Sequence, residues 1–127
     1  MTNIFGIGTD IVEIQRIEVI WNTYGIRFAK RILSPNELKQ LSSFSYPVRY
    51  LSKHFTAKEA IAKALGTGFR LGVYLTQISI EHTEKGKPII SFLGKTKEFV
   101  NKLGILETYI SISDEASYTI AFAIIGN

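Results

Sequence analysis

A chain of 127 residues, 46% of them apolar and 20% charged, holds enough hydrophobic material for one domain with its own core; with no cysteine it has no disulfide framework, thiolate metal site or cysteine nucleophile. A formal charge of +4 favours anionic partners: phosphates, nucleic acid or an acidic protein. No basic leader precedes the apolar N-terminal stretch and no run approaches the roughly 18 apolar residues of a membrane span, so a cytoplasmic protein without membrane insertion is expected.

Residues 4–12, IFGIGTDIV, read as a strand whose glycines at 6 and 8 invite close approach by another backbone, with Asp10 as its polar residue. From Glu13 to Tyr24 the residues Ile14, Ile17, Ile20 and Trp21 recur at helical spacing, and Gly25 ends that helix. IRFAKRIL is a further helical turn. Ser34-Pro35-Asn36-Glu37 then reads as N-cap, proline at the first helical position and capping-box glutamate. From about Pro47 to Leu65 helix formers predominate, with Leu51, Phe55, Ile61 and Leu65 on the apolar face, and Gly66-Thr67-Gly68 stops this longest helix.

The second half alternates as strands: LTQISIEH, the turn EKGKP and the returning IISF, then a short helix GKTKEFVNKLG, then ETYISIS and YTIAFAII joined at Asp114-Glu115-Ala116-Ser117. The pattern predicts an α+β fold, helices packed on an antiparallel sheet, in a single domain over residues 1–127. The isoleucines at 110, 112, 120, 124 and 125 are to be buried in the core or against a partner.

Two carboxylates stand out. Asp10 follows glycine and threonine, as turn and cap residues do, and Glu59 lies four before Lys63, the spacing of a solvated helical pair. The stretch Phe55-Thr56-Ala57-Lys58-Glu59-Ala60-Ile61-Ala62-Lys63-Ala64-Leu65-Gly66-Thr67-Gly68 supports a second reading. It sets Glu59 and Lys63 on one helical face, where a hard-oxygen ligand beside an ammonium suits a Mg²⁺ ion bridged to a pyrophosphate.

FTAKEAIAKALGTG is similar to the F-x-x-K-E-A-x-x-K-A-x-G-x-G signature of holo-acyl-carrier-protein synthases, the 4'-phosphopantetheinyl transferases of fatty acid biosynthesis. GIGTDIVEIQRI resembles their G-x-D-I-V-x-I-x-R-I motif, RILSPNEL their R-x-L-[ST]-x-x-E segment, and YISISDEASYTIAFAI their closing strands. The likeness spans nearly the whole chain. It implies transfer of phosphopantetheine from coenzyme A to an acyl carrier protein serine, releasing adenosine 3',5'-bisphosphate. It further implies Mg²⁺ held by Asp10 and Glu59, Lys63 on the phosphate, and Lys58 with Gly66, Thr67 and Gly68 along the coenzyme A site. Glu59, directly or through a metal-bound water, would take the serine proton, with Asp10 the alternative base. Arg16, with Arg27, Phe28 and Arg31, would meet the acidic carrier protein, and the family's homotrimer would place active sites between subunits.

Two positions depart from the family pattern. His54 replaces an arginine that contacts the coenzyme A 3'-phosphate, with Lys53 or Arg49 able to compensate, and Asp114 stands where a histidine is usual. His82 lies in another strand and is not expected to substitute. Competing readings are a nucleic-acid module built on Tyr46, Tyr50, Phe55 and Phe69, against which no nucleic-acid motif appears, and an inactive homologue, against which Asp10, Glu59 and Lys63 are intact.

Overall fold

The computed structural model describes residues 3–127. Strand β1 (Ile4–Glu13) leads into helix α1 (Ile14–Tyr24), α2 (Ile26–Ile32), α3 (Pro35–Leu41) and the long α4 (Val48–Leu65). A 3₁₀ turn (Leu75–Gln77) precedes β2 (Ile78–His82) and β3 (Pro88–Phe92). Helix α5 (Gly94–Lys102), β4 (Glu107–Asp114) and β5 (Tyr118–Gly126) complete the chain. The expected α+β class holds. The strand read from Leu75 begins later than expected, because its first three residues coil into the 3₁₀ turn.

The strands form two antiparallel sheets, one of three strands in the order β1-β5-β4 and one pairing β2 with β3. In β1 the two-residue side-chain period divides the strand. Phe5, Ile7 and Ile11 face outward and are exposed, whereas Gly8 and Val12 turn inward. That inner face meets α4. A Cβ built on Gly6 would overlap the carbonyl oxygen of Ala64, and one on Gly8 would overlap that of Ala60 and lie 2.7 Å from the Ala64 nitrogen. The close approach predicted from the two glycines is therefore strand against helix, and only hydrogen side chains permit it.

Two hydrophobic clusters result. One joins Ala60, Ile61 and Ala64 of α4 to Ala121, Ala123 and Ile125 of β5 and to Ile78 and Ile80 of β2. The other joins Leu51 to Val12, Ile14, Ile17 and the short helices. Between them runs a buried polar tie. Glu37 and Ser34 close the predicted capping box on α3, and the same Glu37 carboxylate accepts from Ile80 N at 2.9 Å and from Lys58 Nζ at 2.6 Å. Among the described residues no helix is long and apolar enough to cross a membrane.

Candidate active site

Asp10 occurs at an even position of β1, on the side of Gly8 and Val12, so its side chain turns toward α4. There it meets Lys63, whose ammonium donates to Asp10 Oδ1 and to the carbonyl of Thr9, both at 2.9 Å. Glu59, one turn earlier and half-buried, completes the group. Burial raises the Glu59 carboxyl above its ordinary range, the Asp10 carboxylate raises it further, and Lys63 opposes both. The sequence predicted a Glu59–Lys63 pair on one helical face. In the fold the lysine reaches across to the strand and pairs with Asp10, acting on Glu59 through its charge alone.

The expected coenzyme A residues divide. Gly66 caps α4 in the left-handed region (φ 81°), and Thr67 is buried with its hydroxyl donating to Gly68 O at 2.7 Å, so this segment is a tight, ordered turn. Lys58 is a correction. It is 0% exposed, and its ammonium is consumed by Glu37, the Ile32 carbonyl and the Leu75 carbonyl, the last at 2.9 Å. Having three protons and three internal acceptors, it has nothing left for a ligand. Burial lowers its pKa, and the Glu37 carboxylate opposes the shift.

His54 is also buried, with Nδ1 2.8 Å from the Tyr50 carbonyl. It borders a cleft of about 810 Å³ between α4, the β2–β3 turn and β4, shared with Phe44, Tyr46, Tyr50, Arg49 and Lys53. His82, at the end of β2, lies on the same cleft, its ring centroid 6.5 Å from that of His54. Asp114 binds Arg49 at 2.8 Å and Lys53 at 3.3 Å, an arrangement invisible in sequence because 65 residues separate Arg49 from its partner.

Arg16, Arg27 and Arg31 are exposed on α1 and α2, and Phe28 is half-buried against the second cluster. Ile20, Tyr24, Arg27, Phe28 and Arg31 together line a groove of about 360 Å³. Of the aromatics that suggested nucleic-acid stacking, Tyr46 and Tyr50 share the cleft, whereas Phe69 packs on the first hydrophobic cluster and Phe55 on the second.

The profile of the 4'-phosphopantetheinyl transferase superfamily matches residues 6–123. The chain belongs to that superfamily. Among its relatives, the holo-[acyl-carrier-protein] synthase of Hydrogenovibrio crunogenus is 50% identical over 95% of each chain. The crystal structure of holo-[acyl-carrier-protein] synthase from Neisseria meningitidis superposes with a TM-score of 0.94 at 41% identity, covering 98% of this chain and 100% of that one. The Helicobacter pylori synthase, solved in complex with coenzyme A, superposes at 0.80 with 32% identity, over 94% and 99% of the two chains. Asp10, Glu59 and Lys63 thus group where β1 meets α4, and the aromatic cleft lies along β4, at the other edge of the same sheet.

Proposed function

We infer that this chain is a Mg²⁺-dependent holo-[acyl-carrier-protein] synthase, a cytoplasmic enzyme of fatty acid biosynthesis acting as one catalytic domain. It transfers the 4'-phosphopantetheine arm of coenzyme A to the serine hydroxyl of an apo-acyl carrier protein and releases adenosine 3',5'-bisphosphate. The observation that carries this reading is the meeting of Asp10 from the first strand with Glu59 and Lys63 from the long helix. Relatives named as holo-[acyl-carrier-protein] synthases, one of them solved with coenzyme A, support it.

The donor set fits Mg²⁺. Two carboxylates and the Thr9 carbonyl are hard oxygens, and the repulsion Glu59 feels from Asp10 is relieved by a cation. Asp10 and Glu59 would hold the ion between strand and helix. Bound by Asp10 and Glu59, the ion supplies charge neutralisation for the pyrophosphate.

The chain's own residues do the rest. Lys63, with about half its side chain exposed, swings from Asp10 to a phosphate oxygen and fixes the β-phosphorus for attack. Glu59, half-buried beside Asp10 and Lys63, takes the proton of the serine hydroxyl. The serine oxygen bonds to the β-phosphorus as the bond to the departing bisphosphate breaks. The nucleotide lies in the aromatic cleft, its ring against Phe44, Tyr46 and Tyr50 and its charge toward Arg49 and Lys53. Gly66, Thr67 and Gly68 border the path of the coenzyme A arm. Arg16, Arg27 and Arg31, with Phe28 beside them, receive the acidic carrier protein.

The outer face of the three-stranded sheet presents Ile7, Ile11, Ile120 and Phe122 at 60%, 57%, 47% and 39% exposure. An apolar face of this kind fits a homotrimer, with the carboxylates of one copy opposite the cleft of the next.

Intact-mass spectrometry of an apo-acyl carrier protein incubated with the enzyme, coenzyme A and Mg²⁺ tests the reading. The expected result is a gain of one phosphopantetheine, abolished by EDTA and slowed about a hundredfold or more in Glu59→Gln. A folded protein that binds coenzyme A yet modifies no carrier protein is instead an inactive homologue.

A further inference from the structure

Lys58 and Glu59 are neighbours on α4 that face opposite surroundings, one sealed in the core and the other half-buried at the site. Each step along an α-helix turns a side chain by about 100°, so Glu59 lies about 100° from Lys58 on one side and about 100° from Ala60 on the other. Both flanks are fixed. On the Ala60 side the helix backbone is locked against β1, where Gly6 and Gly8 leave no room for a methyl group against Ala64 and Ala60. On the other side Lys58 donates to three elements at once. Its acceptors are the carbonyl of Ile32 at the end of α2, Glu37 Oε1 on α3 at 2.6 Å, and the carbonyl of Leu75 opening the 3₁₀ turn at 2.9 Å.

Stability alone does not account for this choice of residues. Desolvation of an ammonium and a carboxylate offsets much of their attraction, so a well-packed apolar pair of the same volume holds a core about as well. What such a pair lacks is direction. Apolar side chains pack over a range of helix rotations, whereas three hydrogen bonds from one tetrahedral ammonium are met together at one rotation. The rotation matters to Glu59, because the group it faces on β1 is another carboxylate. Asp10 repels Glu59 more strongly than Lys63 attracts it, and the Lys63 ammonium is itself paired with Asp10. Before a cation arrives, the site therefore pushes Glu59 away from Asp10, and a helix held along its β1 contact alone would roll in response.

We propose that Lys58, held by Glu37, is a positioning residue for the reaction: it fixes the rotation of α4 so that Glu59 stays beside Asp10 and the two carboxylates are set for a divalent cation before it binds. Lys58 touches neither the ion nor the substrate, and acts through its neighbour. The proposal rests on the reading that Asp10 and Glu59 hold Mg²⁺.

The test is calorimetric titration of Mn²⁺ into the protein saturated with coenzyme A, in wild type, Glu59→Gln, the double variant Lys58→Met with Glu37→Gln, and Leu51→Ala, each shown to be folded by circular dichroism. The double variant removes the anchor without leaving a buried charge unpaired. Leu51, fully buried two turns earlier on α4, is the control, since its truncation destabilises through a cavity and leaves the anchor intact. The double variant should bind Mn²⁺ about tenfold more weakly than wild type, with the Mg²⁺ concentration for half-maximal transfer raised in parallel, and Leu51→Ala should stay within about twofold. Wild-type affinity in the double variant, or an equal loss in Leu51→Ala, overturns the proposal while leaving the metal site in place. If the double variant does not fold, Glu37→Gln alone decides, with about threefold weaker binding expected and wild-type affinity overturning the proposal. No binding by wild type, or full affinity in Glu59→Gln, removes the metal reading itself and the proposal with it.

Discussion

Gly8 rests against the Ala60 carbonyl, and this contact between strand and helix brings Asp10, two residues past Gly8, to Glu59 and Lys63, which lie one residue before and three residues after Ala60. A methyl group at Gly8 has nowhere to go: it would overlap backbone on one side and approach Lys63 Cβ to 3.0 Å on the other. Gly8→Ala is therefore expected to cost about 3 kcal/mol or more, by overpacking. A urea titration reads this directly. Unchanged stability would show that β1 can move away from α4, and the Asp10–Glu59 geometry would lose its structural cause.

Lys58 contributes to folding through its pairing with Glu37. Lys58→Met leaves the Glu37 carboxylate buried without its partner and is expected to destabilise by about 3–5 kcal/mol. Adding Glu37→Gln to that variant should recover part of the loss, since the uncompensated charge disappears. Two additive losses in the double-mutant cycle would mean that the ammonium and carboxylate are not coupled as the 2.6 Å contact indicates.

These two residues also mark what was legible beforehand. Periodicity revealed the long helix, and the alternation of β1, β4 and β5 revealed the strands, because burial of one face writes itself into local spacing. The capping box was readable because all its atoms lie within four residues. The second duty of Glu37, toward Lys58 and Ile80, was not, since its partners lie 21 and 43 residues away. For the same reason Lys58 read as a ligand contact: a lysine beside Glu59 in a basic helix carries no local sign that it points inward. The aromatic cleft was equally hidden, being assembled from α4, a hairpin and β4. The order of the strands, with β5 between β1 and β4, likewise depends on contacts distant in sequence.

Phe122 lies on the outward face of the central strand β5, with apolar neighbours on the same face of β1 and β5. Phe122→Glu adds a charge to that face without touching the core below it. The variant should keep its circular dichroism spectrum but sediment as a monomer, and transfer should fall about a hundredfold as facing copies separate. A wild type that is monomeric at micromolar concentration, or a monomeric variant with full activity, would remove the inter-subunit site from the reading.

Glu59 makes the stability of the metal-free protein depend on pH in a predictable direction. Its carboxyl is raised on folding, first by burial and then by Asp10, so the folded state binds its proton more tightly than the unfolded chain does. The resulting contribution is complete below the ordinary glutamate range and is lost as pH rises through the raised value. In EDTA, wild type should therefore lose stability across that window relative to Glu59→Gln, whose amide does not titrate. Above the window the two ionised carboxylates repel, and Mg²⁺ should recover stability in wild type but not in Glu59→Gln. Urea midpoints of both proteins over a pH series, with and without the ion, check both limbs. Parallel curves for the two proteins would leave Glu59 an ordinary surface carboxylate and remove both its metal and its base role.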